Sequence, residues 1–236
     1  MSKHFKITLF VRFIGYFLFF AGLIAFIFMM GPVVQIEASY RISKILKVKK
    51  TVPIITSFEQ SAGQSAGTEA TRSSGPVDFS NVSLNDNSII PVSTEYSIVI
   101  EKINANVKII PNVDPGNEKQ YVQMLTQGVA EALGSTPPGV PGNLYLFSHS
   151  TDAPWNIIRY NAVFYLLKEL EPGDKIIIFY ENRRYDYVVF DKTITSPDDI
   201  SFLTNRYDVP VVTLQTCDPP GTLLNRLIVR AKLINS

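Results

Sequence analysis

An uncharged apolar run near the N-terminus constrains the fold of this chain more than any other feature. The run from Phe13 to Val34 contains no Asp, Glu, Lys or Arg and consists mostly of Phe, Ile, Leu and Met. A helix of this length extends roughly 33 Å at about 1.5 Å per residue, which is enough to cross the hydrocarbon core of a bilayer. A signal peptide has a shorter apolar region, about 7–15 residues, and small residues at its cleavage site. We therefore predict an uncleaved membrane anchor at residues 13–35, preceded by a short cytoplasmic tail at residues 1–12.

The region that follows this anchor has two different compositions. Residues 37–50 interleave apolar residues with Lys and Arg, so this segment is either a helix lying on the membrane surface or a solvated stalk. Basic residues flank both ends of the apolar run, and their distribution therefore does not fix the orientation of the anchor. Residues 57–88 are rich in Ser, Gly, Thr and Asn, which predicts a flexible tether. We accordingly assign residues 36–88 to a juxtamembrane segment and tether, and residues 89–236 to a folded domain.

Short strand-like runs separated by turn signals dominate the folded domain. Apolar and β-branched runs predict strands at residues 96–101, 107–110, 142–149, 175–180, 185–195, 209–216 and 227–233. Helices are expected at residues 118–133 and 162–170, and a third is expected to start at Pro197 with Ser196 as its cap. A turn is expected at residues 111–116. Many short strands with few helices favour a mainly β fold, a small closed barrel that leaves no strand edge exposed.

The charge and the cysteine content narrow the possible functions. The net charge is only +1, so the chain has no basic excess with which to neutralise the phosphates of a nucleic acid. The single cysteine cannot form an intramolecular disulfide, so it is either a reactive thiol or a small buried apolar residue. The two histidines are His4 and His149, and only His149 lies in the folded domain.

Three residues with reactive or charged side chains lie at the ends of predicted strands. Cys217 ends the run 209–216, His149 ends another run, and Arg226 follows the Pro-Pro-Gly turn after the cysteine. A nearby guanidinium lowers the pKa of a thiol, and it can donate two hydrogen bonds to a developing oxyanion. An imidazole transfers protons near neutral pH. Strand alternation alone does not distinguish Arg226 from Arg230, which has the same parity.

The stretch Thr213-Leu214-Gln215-Thr216-Cys217, with Arg226 nine residues later, resembles the TLxTC…R signature of the sortase family. The resemblance covers roughly residues 89–236. It implies an eight-stranded β-barrel of the sortase type and a cysteine transpeptidase on the outer face of the membrane. Such enzymes cleave exported proteins at a sorting signal similar to Leu-Pro-x-Thr-Gly and form a thioacyl enzyme. They then pass the acyl group to an amine of a cell-wall precursor or a pilin, without a cofactor.

The resemblance also implies a role for each candidate residue. Cys217 is implied as the nucleophile, His149 as the general acid and base, and Arg226 as the donor that holds the oxyanion and positions the substrate. Thr216 is implied to support the oxyanion site through its backbone or hydroxyl. Calcium dependence occurs in part of the family, but no metal-ligand cluster is identifiable in this sequence. The acidic loop residues are expected to be solvated or capping: Asp114, Glu118, Asp152, Asp198 and Asp199.

Departures from the family pattern bear on the subclass. Ser148 and Ser150 flank the histidine, where many sortases have Gly or Ala before it and Arg after it. The Asp-Pro-Pro-Gly-Thr turn after Cys217 and the lack of a second apolar segment near the C-terminus favour a housekeeping-like or sporulation-associated type over a pilin type. Residues 77–79, Val-Asp-Phe, only faintly resemble the lid motif of pilin enzymes.

Three other functions remain open at this point. L,D-transpeptidases also use a cysteine but place an arginine two residues after it, where this chain has Pro219. A membrane-anchored cysteine protease would use the same chemistry with water as the acceptor. A non-catalytic β-domain that binds wall components would retain Cys217 as a packing residue.

Overall fold

Eight strands close into a barrel in the computed structural model, which describes residues 3–46, 50–53, 88–150 and 163–235. The prediction of a mainly β, closed eight-stranded barrel preceded by an apolar helix is confirmed. The strands are β1 (Tyr96–Ile100), β2 (Ala105–Val113), β3 (Val129–Ala132), β4 (Gly142–Phe147), β5 (Lys175–Tyr180), β6 (Arg183–Thr195), β7 (Pro210–Asp218) and β8 (Asn225–Asn235). The helices are α1 (Lys3–Ile45), α2 (Glu118–Leu125) and α3 (Ser201–Thr204), and short 3-10 helices cover Glu101–Ile103 and Leu167–Glu169.

The strand order brings β4 and β7 side by side. Around the barrel the strands follow one another as β1-β2-β3-β4-β7-β8-β6-β5, and β5 closes the barrel by pairing with β1. The pairs β2–β3 and β4–β7 are parallel, whereas the other neighbours are antiparallel. Parallel neighbours run in the same direction, so the C-terminal ends of β4 and β7 meet at one end of the barrel. The antiparallel β8 begins at that same end.

Side chains on these strands alternate between the barrel interior and an outer face. On β4, Leu144 and Leu146 belong to the interior core, whereas Tyr145 and Phe147 belong to a second apolar cluster that includes residues of α2 and α3. The strands β7 and β8 alternate in the same way. Their outward-facing positions therefore share a surface with the aromatic residues of β4.

The region predicted as helical over residues 118–133 contains both a helix and a strand. Helix α2 begins after Asn117, whose side chain accepts a hydrogen bond from the Gln120 amide, and it ends at Leu125. Strand β3 then pairs with both β2 and β4, and all of its residues are buried. Pairing on both edges outweighs the local preference of so short a segment.

Three smaller predictions also differ from the structure. Residues 163–170 form turns and a short 3-10 helix instead of a longer helix. Strand β2 continues through part of the turn predicted at residues 111–116 and ends at Val113. Helix α3 starts at Ser201 rather than at Pro197. These are short elements and element ends, where one or two hydrogen bonds decide between turn, helix and strand.

The N-terminal helix α1 continues well beyond the predicted anchor. Its stretch Ile7–Phe28 is long and apolar enough to cross a membrane, so the candidate anchor starts several residues before the predicted span of 13–35. Further along, Ile36 and Tyr40 pack against the barrel core, and the Tyr40 hydroxyl donates a hydrogen bond to Glu169 at 3.2 Å. The juxtamembrane helix therefore contacts the barrel, which neither of the two interpretations of this segment anticipated.

A second N-terminal segment, residues 50–53, packs on the outside of the barrel. Thr51 pairs with Ser88 in an isolated bridge. Val52 is only 3% exposed and packs in a small cluster with residues of β1 and β5. The tether predicted at residues 57–88 lies, apart from its last residue, outside the described part of the chain.

A truncated chain that begins at residue 50 is expected to be more stable than one that begins at residue 89. Burying a valine side chain contributes about 1.5–3 kcal/mol, and only the longer chain retains Val52. Urea unfolding of both chains measures the difference in free energy of unfolding. The variant Val52→Ser in the longer chain is the matched control, because it should approach the stability of the shorter one. Equal stability of the two truncated chains would contradict a structural role for residues 50–53.

Candidate active site

Cys217 and Arg226 form a cross-strand pair at one end of the barrel. Cys217 lies near the end of β7, and the antiparallel register places it opposite Arg226 at the start of β8. The Nη1 nitrogen of Arg226 donates a hydrogen bond to the Sγ atom of Cys217 at 3.7 Å. The same nitrogen donates to the Asn225 carbonyl at 3.2 Å, which holds the guanidinium beside the thiol.

Arg230, which alternation alone did not separate from Arg226, contacts other partners. Its guanidinium donates to one carboxylate oxygen of Asp191 at 2.7 and 3.0 Å and to the Tyr207 hydroxyl at 3.1 Å. It also lies over two phenylalanine rings, 5.2 and 5.3 Å from their centroids. Of these two arginines, only Arg226 donates a hydrogen bond to the thiol.

His149 follows β4 at the end of the barrel where β7 carries Cys217. The parallel pairing of β4 with β7 ends with Phe147 opposite Gln215, and the Ser148 amide extends it by donating to the Gln215 carbonyl at 3.1 Å. His149 and Cys217 each lie two residues beyond that last pair, so both belong to the same end of the barrel. The barrel thus gathers the predicted thiol, guanidinium and imidazole at one end of the sheet formed by β4, β7 and β8.

Thr216 faces the barrel interior rather than the thiol. It is 3% exposed, and its hydroxyl donates a hydrogen bond to the Ser148 carbonyl at 3.0 Å. The hydroxyl therefore fastens β7 to the segment that leads into His149. This contact supports a positioning role for the Thr216 side chain, and a direct contact of its hydroxyl with an oxyanion has no support in this arrangement.

Burial and Arg226 act on the Cys217 thiol in opposite directions. Burial raises the pKa of the thiol because the apolar surroundings disfavour the thiolate, whereas the nearby guanidinium lowers it. The net pKa of Cys217 lies above the ordinary value of a cysteine. Arg226 therefore lowers the pKa of the thiol, as the sequence suggested, but by less than burial raises it. At neutral pH the thiol carries its proton and must lose it before it can attack.

The rate at which iodoacetamide alkylates Cys217 is expected to keep rising above about pH 9. Alkylation requires the thiolate, and a raised pKa moves the increase in thiolate to higher pH. Arg226→Gln should move the rate profile to still higher pH, because it removes the charge that lowers the pKa. Mass spectrometry of the chain's only cysteine follows the labelling. A rate that levels off below about pH 8 would contradict a raised thiol pKa.

Aromatic side chains from α2 and β4 line the outer face next to these residues. The ring of Tyr121 packs edge to face on Phe147, with 6.1 Å between the ring centroids. The Tyr145 hydroxyl donates a hydrogen bond to the Gln215 side chain. Sequence reasoning assigned none of these aromatic residues to the site. Alternation along β4 marks Tyr145 and Phe147 as outward-facing, but nothing in the sequence places Tyr121 near Cys217.

The structure describes four of the five acidic loop residues, and two of them accept hydrogen bonds from nearby backbone amides. The described residues contain no group of three or more His, Cys, Asp and Glu side chains that could hold a metal ion. Asp114 accepts a hydrogen bond from the amide two residues further along, and Asp199 accepts hydrogen bonds from Thr195 and from the Ser201 amide. Asp152 lies outside the described residues. The observed contacts are those of residues that cap turns.

Three solved structures are similar to this barrel. Sortase C-1 from Actinomyces oris is 25% identical with a TM-score of 0.51, and the match covers 61% of this chain and 77% of that chain. A lid mutant of sortase A from Corynebacterium diphtheriae is 25% identical with a TM-score of 0.51, covering 61% of this chain and 72% of that one. Sortase C from Clostridium perfringens, with the C-terminal cell wall sorting motif, is 25% identical with a TM-score of 0.50, covering 59% and 70%.

No curated protein matches the chain. The sortase domain, however, matches residues 98–234, which is more than half of the 236 residues and includes His149, Cys217 and Arg226. On this match and on the closed barrel that carries the three residues, the chain belongs to the sortase family.

Proposed function

We propose that this chain is a cysteine transpeptidase that acts at the outer face of a membrane, with Cys217, His149 and Arg226 as its catalytic residues. The observation that carries the proposal is the 3.7 Å contact between the Arg226 guanidinium and the Cys217 thiol. A guanidinium beside the sulfur does not improve apolar packing, but it can stabilise a thiolate or an oxyanion. The raised pKa of the thiol requires a proton acceptor, and we assign this role to His149, which follows β4 at the end of the barrel where β7 carries Cys217.

The acylation step starts with the removal of the thiol proton. His149 accepts the proton from Cys217, and the sulfur forms a bond to the carbonyl carbon of the scissile peptide bond. The electron pair of the carbonyl moves to its oxygen, and the N–H groups of Arg226 stabilise the resulting oxyanion. When the carbonyl forms again, the C–N bond breaks, and His149 returns its proton to the departing amine. The product is a thioester on Cys217.

The second step transfers the acyl group to an amine. The nitrogen of the acceptor attacks the thioester carbonyl, and Arg226 stabilises a second oxyanion. His149 takes a proton from the attacking nitrogen and gives one to the departing sulfur, which restores the thiol of Cys217. With water in place of the amine, the same residues would hydrolyse the thioester.

The acyl donor that we propose is an exported protein with a sorting signal similar to Leu-Pro-x-Thr-Gly, cleaved after the Thr. The similar sortase C of Clostridium perfringens is known with a C-terminal cell wall sorting motif, which supports this class of donor. The acceptor is an amine of a cell-wall precursor or a pilin. Proteins named sortase A and sortase C are both among the similar structures, so these similarities do not separate the subclasses. The preference for a housekeeping-like or sporulation-associated subclass rests on the Asp-Pro-Pro-Gly-Thr turn after Cys217.

The proposed topology follows from this chemistry. Sorting signals are met after export, so the barrel lies outside the cell and α1 crosses the membrane once, with its N-terminus in the cytoplasm. The apolar stretch Ile7–Phe28 is the candidate anchor. Residues 89–236 form the catalytic domain, to which residues 50–53 add packing on β1 and β5.

The proposal is tested with the full chain in detergent, a library of five-residue sorting signals and a set of amines. Mass spectrometry is expected to detect a peptide adduct on Cys217 and a product in which the peptide is joined to the amine. Cleavage that yields only the free acid with every amine would favour the cysteine protease. The absence of both adduct and cleavage would favour the non-catalytic binding domain.

A further inference from the structure

We propose that Tyr121 is a substrate-binding residue, whose hydroxyl donates a hydrogen bond to the main chain of the acyl-donor peptide. The inference rests on the proposed function and extends it to a residue of α2. The signature around Cys217 does not include this tyrosine.

The packing of α2 fixes the position of the Tyr121 ring. Leu125 of this helix is buried, and Tyr121 and Met124 pack against the same apolar cluster on the outer face of the barrel. The ring meets the edge of Phe147 at 6.1 Å between centroids. Phe147 is the last paired residue of β4 and lies two residues before His149. The Tyr121 ring therefore contacts the strand residue that lies two positions before His149.

The strand order places Tyr121 across the site from Arg226. Helix α2 lies against β2 and β3, whereas Arg226 belongs to β8. The strands β4 and β7, which carry His149 and Cys217, run between these two sides. A peptide whose scissile carbonyl lies between Cys217 and Arg226 thus has Tyr121 on its other flank.

The influence of Arg226 and Cys217 on the pKa of the Tyr121 phenol agrees with this placement. Burial raises the pKa of the Tyr121 phenol, and the Glu118 carboxylate raises it further. The charge on Arg226 opposes the increase, and a charge on Cys217 would add to it, so both groups lie within electrostatic range of the phenol. A phenol with a raised pKa stays protonated at neutral pH and is available as a neutral donor.

Two other tyrosines near this face, within the described part of the chain, have partners for their hydroxyls. Tyr145 is 4% exposed and donates to the Gln215 side chain. The hydroxyl of Tyr207 accepts a hydrogen bond from Arg230. Tyr121 is partly exposed, so its ring edge and hydroxyl are within reach of a peptide on the outer face.

The test compares Tyr121→Phe with the wild type, using the full chain in detergent and a fluorogenic Leu-Pro-x-Thr-Gly-type peptide that the wild type cleaves. Loss of one neutral hydrogen bond is expected to raise KM for the peptide about 2–10-fold, with kcat within about twofold. The pH profile of Cys217 alkylation should stay unchanged, since the phenol remains neutral. The matched control is Tyr180→Phe, a partly buried tyrosine on β5 that also packs edge to face on another ring and should leave KM unchanged.

Each outcome bears on a different claim. An unchanged KM in Tyr121→Phe overturns this inference and leaves the proposed function standing. A shifted alkylation profile also overturns it, because Tyr121 would then act through the thiol rather than on the peptide. If the wild type cleaves no peptide and forms no adduct on Cys217, the proposed function fails, and this inference fails with it.

Discussion

Replacing Cys217 with alanine is expected to lower kcat/KM for a sorting peptide by at least about 1000-fold. The thiol supplies the electron pair that forms the acyl–enzyme bond, and the chain contains no second cysteine that could replace it. The peptide adduct seen by mass spectrometry in the wild type should disappear in the same variant. Cleavage is measured by chromatography of the peptide products over a long incubation, so that residual activity is detected.

The thermal midpoint of the same variant separates catalysis from packing. Cys217 is only partly buried, so Cys217→Ala should shift the midpoint by no more than a few degrees. The conservative variant Cys217→Ser retains the shape of the side chain but replaces the thiol with a hydroxyl, and it should be nearly as inactive. A variant that melts much earlier yet still cleaves peptide would identify Cys217 as a packing residue.

Exchanging Arg226 for lysine is expected to lower kcat by about 100- to 1000-fold, the usual cost of losing a donor to an oxyanion. Lysine retains the positive charge, so the pKa of the Cys217 thiol should change little. A single ammonium, however, cannot present two N–H groups in a fixed plane to the thiol and the oxyanion. Single-turnover acylation, followed by mass spectrometry of the adduct, isolates the affected step. Near-normal acylation would contradict an oxyanion role for this residue.

Arg230→Lys is the matched control because the two arginines share a strand and a face. The guanidinium of Arg230 donates to Asp191 and Tyr207 rather than to the thiol. Its loss should therefore lower the free energy of unfolding by about 1 kcal/mol, a value reduced by solvent exposure, and change kcat less than about threefold. Arg226→Lys should therefore mainly lower kcat, whereas Arg230→Lys should mainly lower the free energy of unfolding.

Much of the fold follows from local patterns that a sequence displays directly. Apolar and β-branched runs located β1, β5 and β6 closely, and in β1 and β5 nearly every residue is buried, so each shows as a short continuous apolar run. The strand β3 was missed for a physical reason. Its four residues become a strand only because β2 and β4 bind both of its edges, and the second of these neighbours comes later in the chain. The contact between Tyr40 and Glu169 was equally out of reach, since 129 residues separate the two partners.

The residues available for chemistry can be read from the chain directly: one cysteine, one histidine in the folded domain, and the signature that ends at Cys217 with an arginine nine residues later. Which of these groups contact one another depends on the folded barrel. The β7–β8 register places Arg226 opposite Cys217, where its guanidinium donates a hydrogen bond to the thiol, whereas Arg230 donates to Asp191. Burial, which no local pattern reports, then decided the direction of the thiol pKa against the pull of the arginine. Contacts between distant residues and exclusion of water belong to the closed barrel as a whole, and for that reason they appear only after the chain has folded.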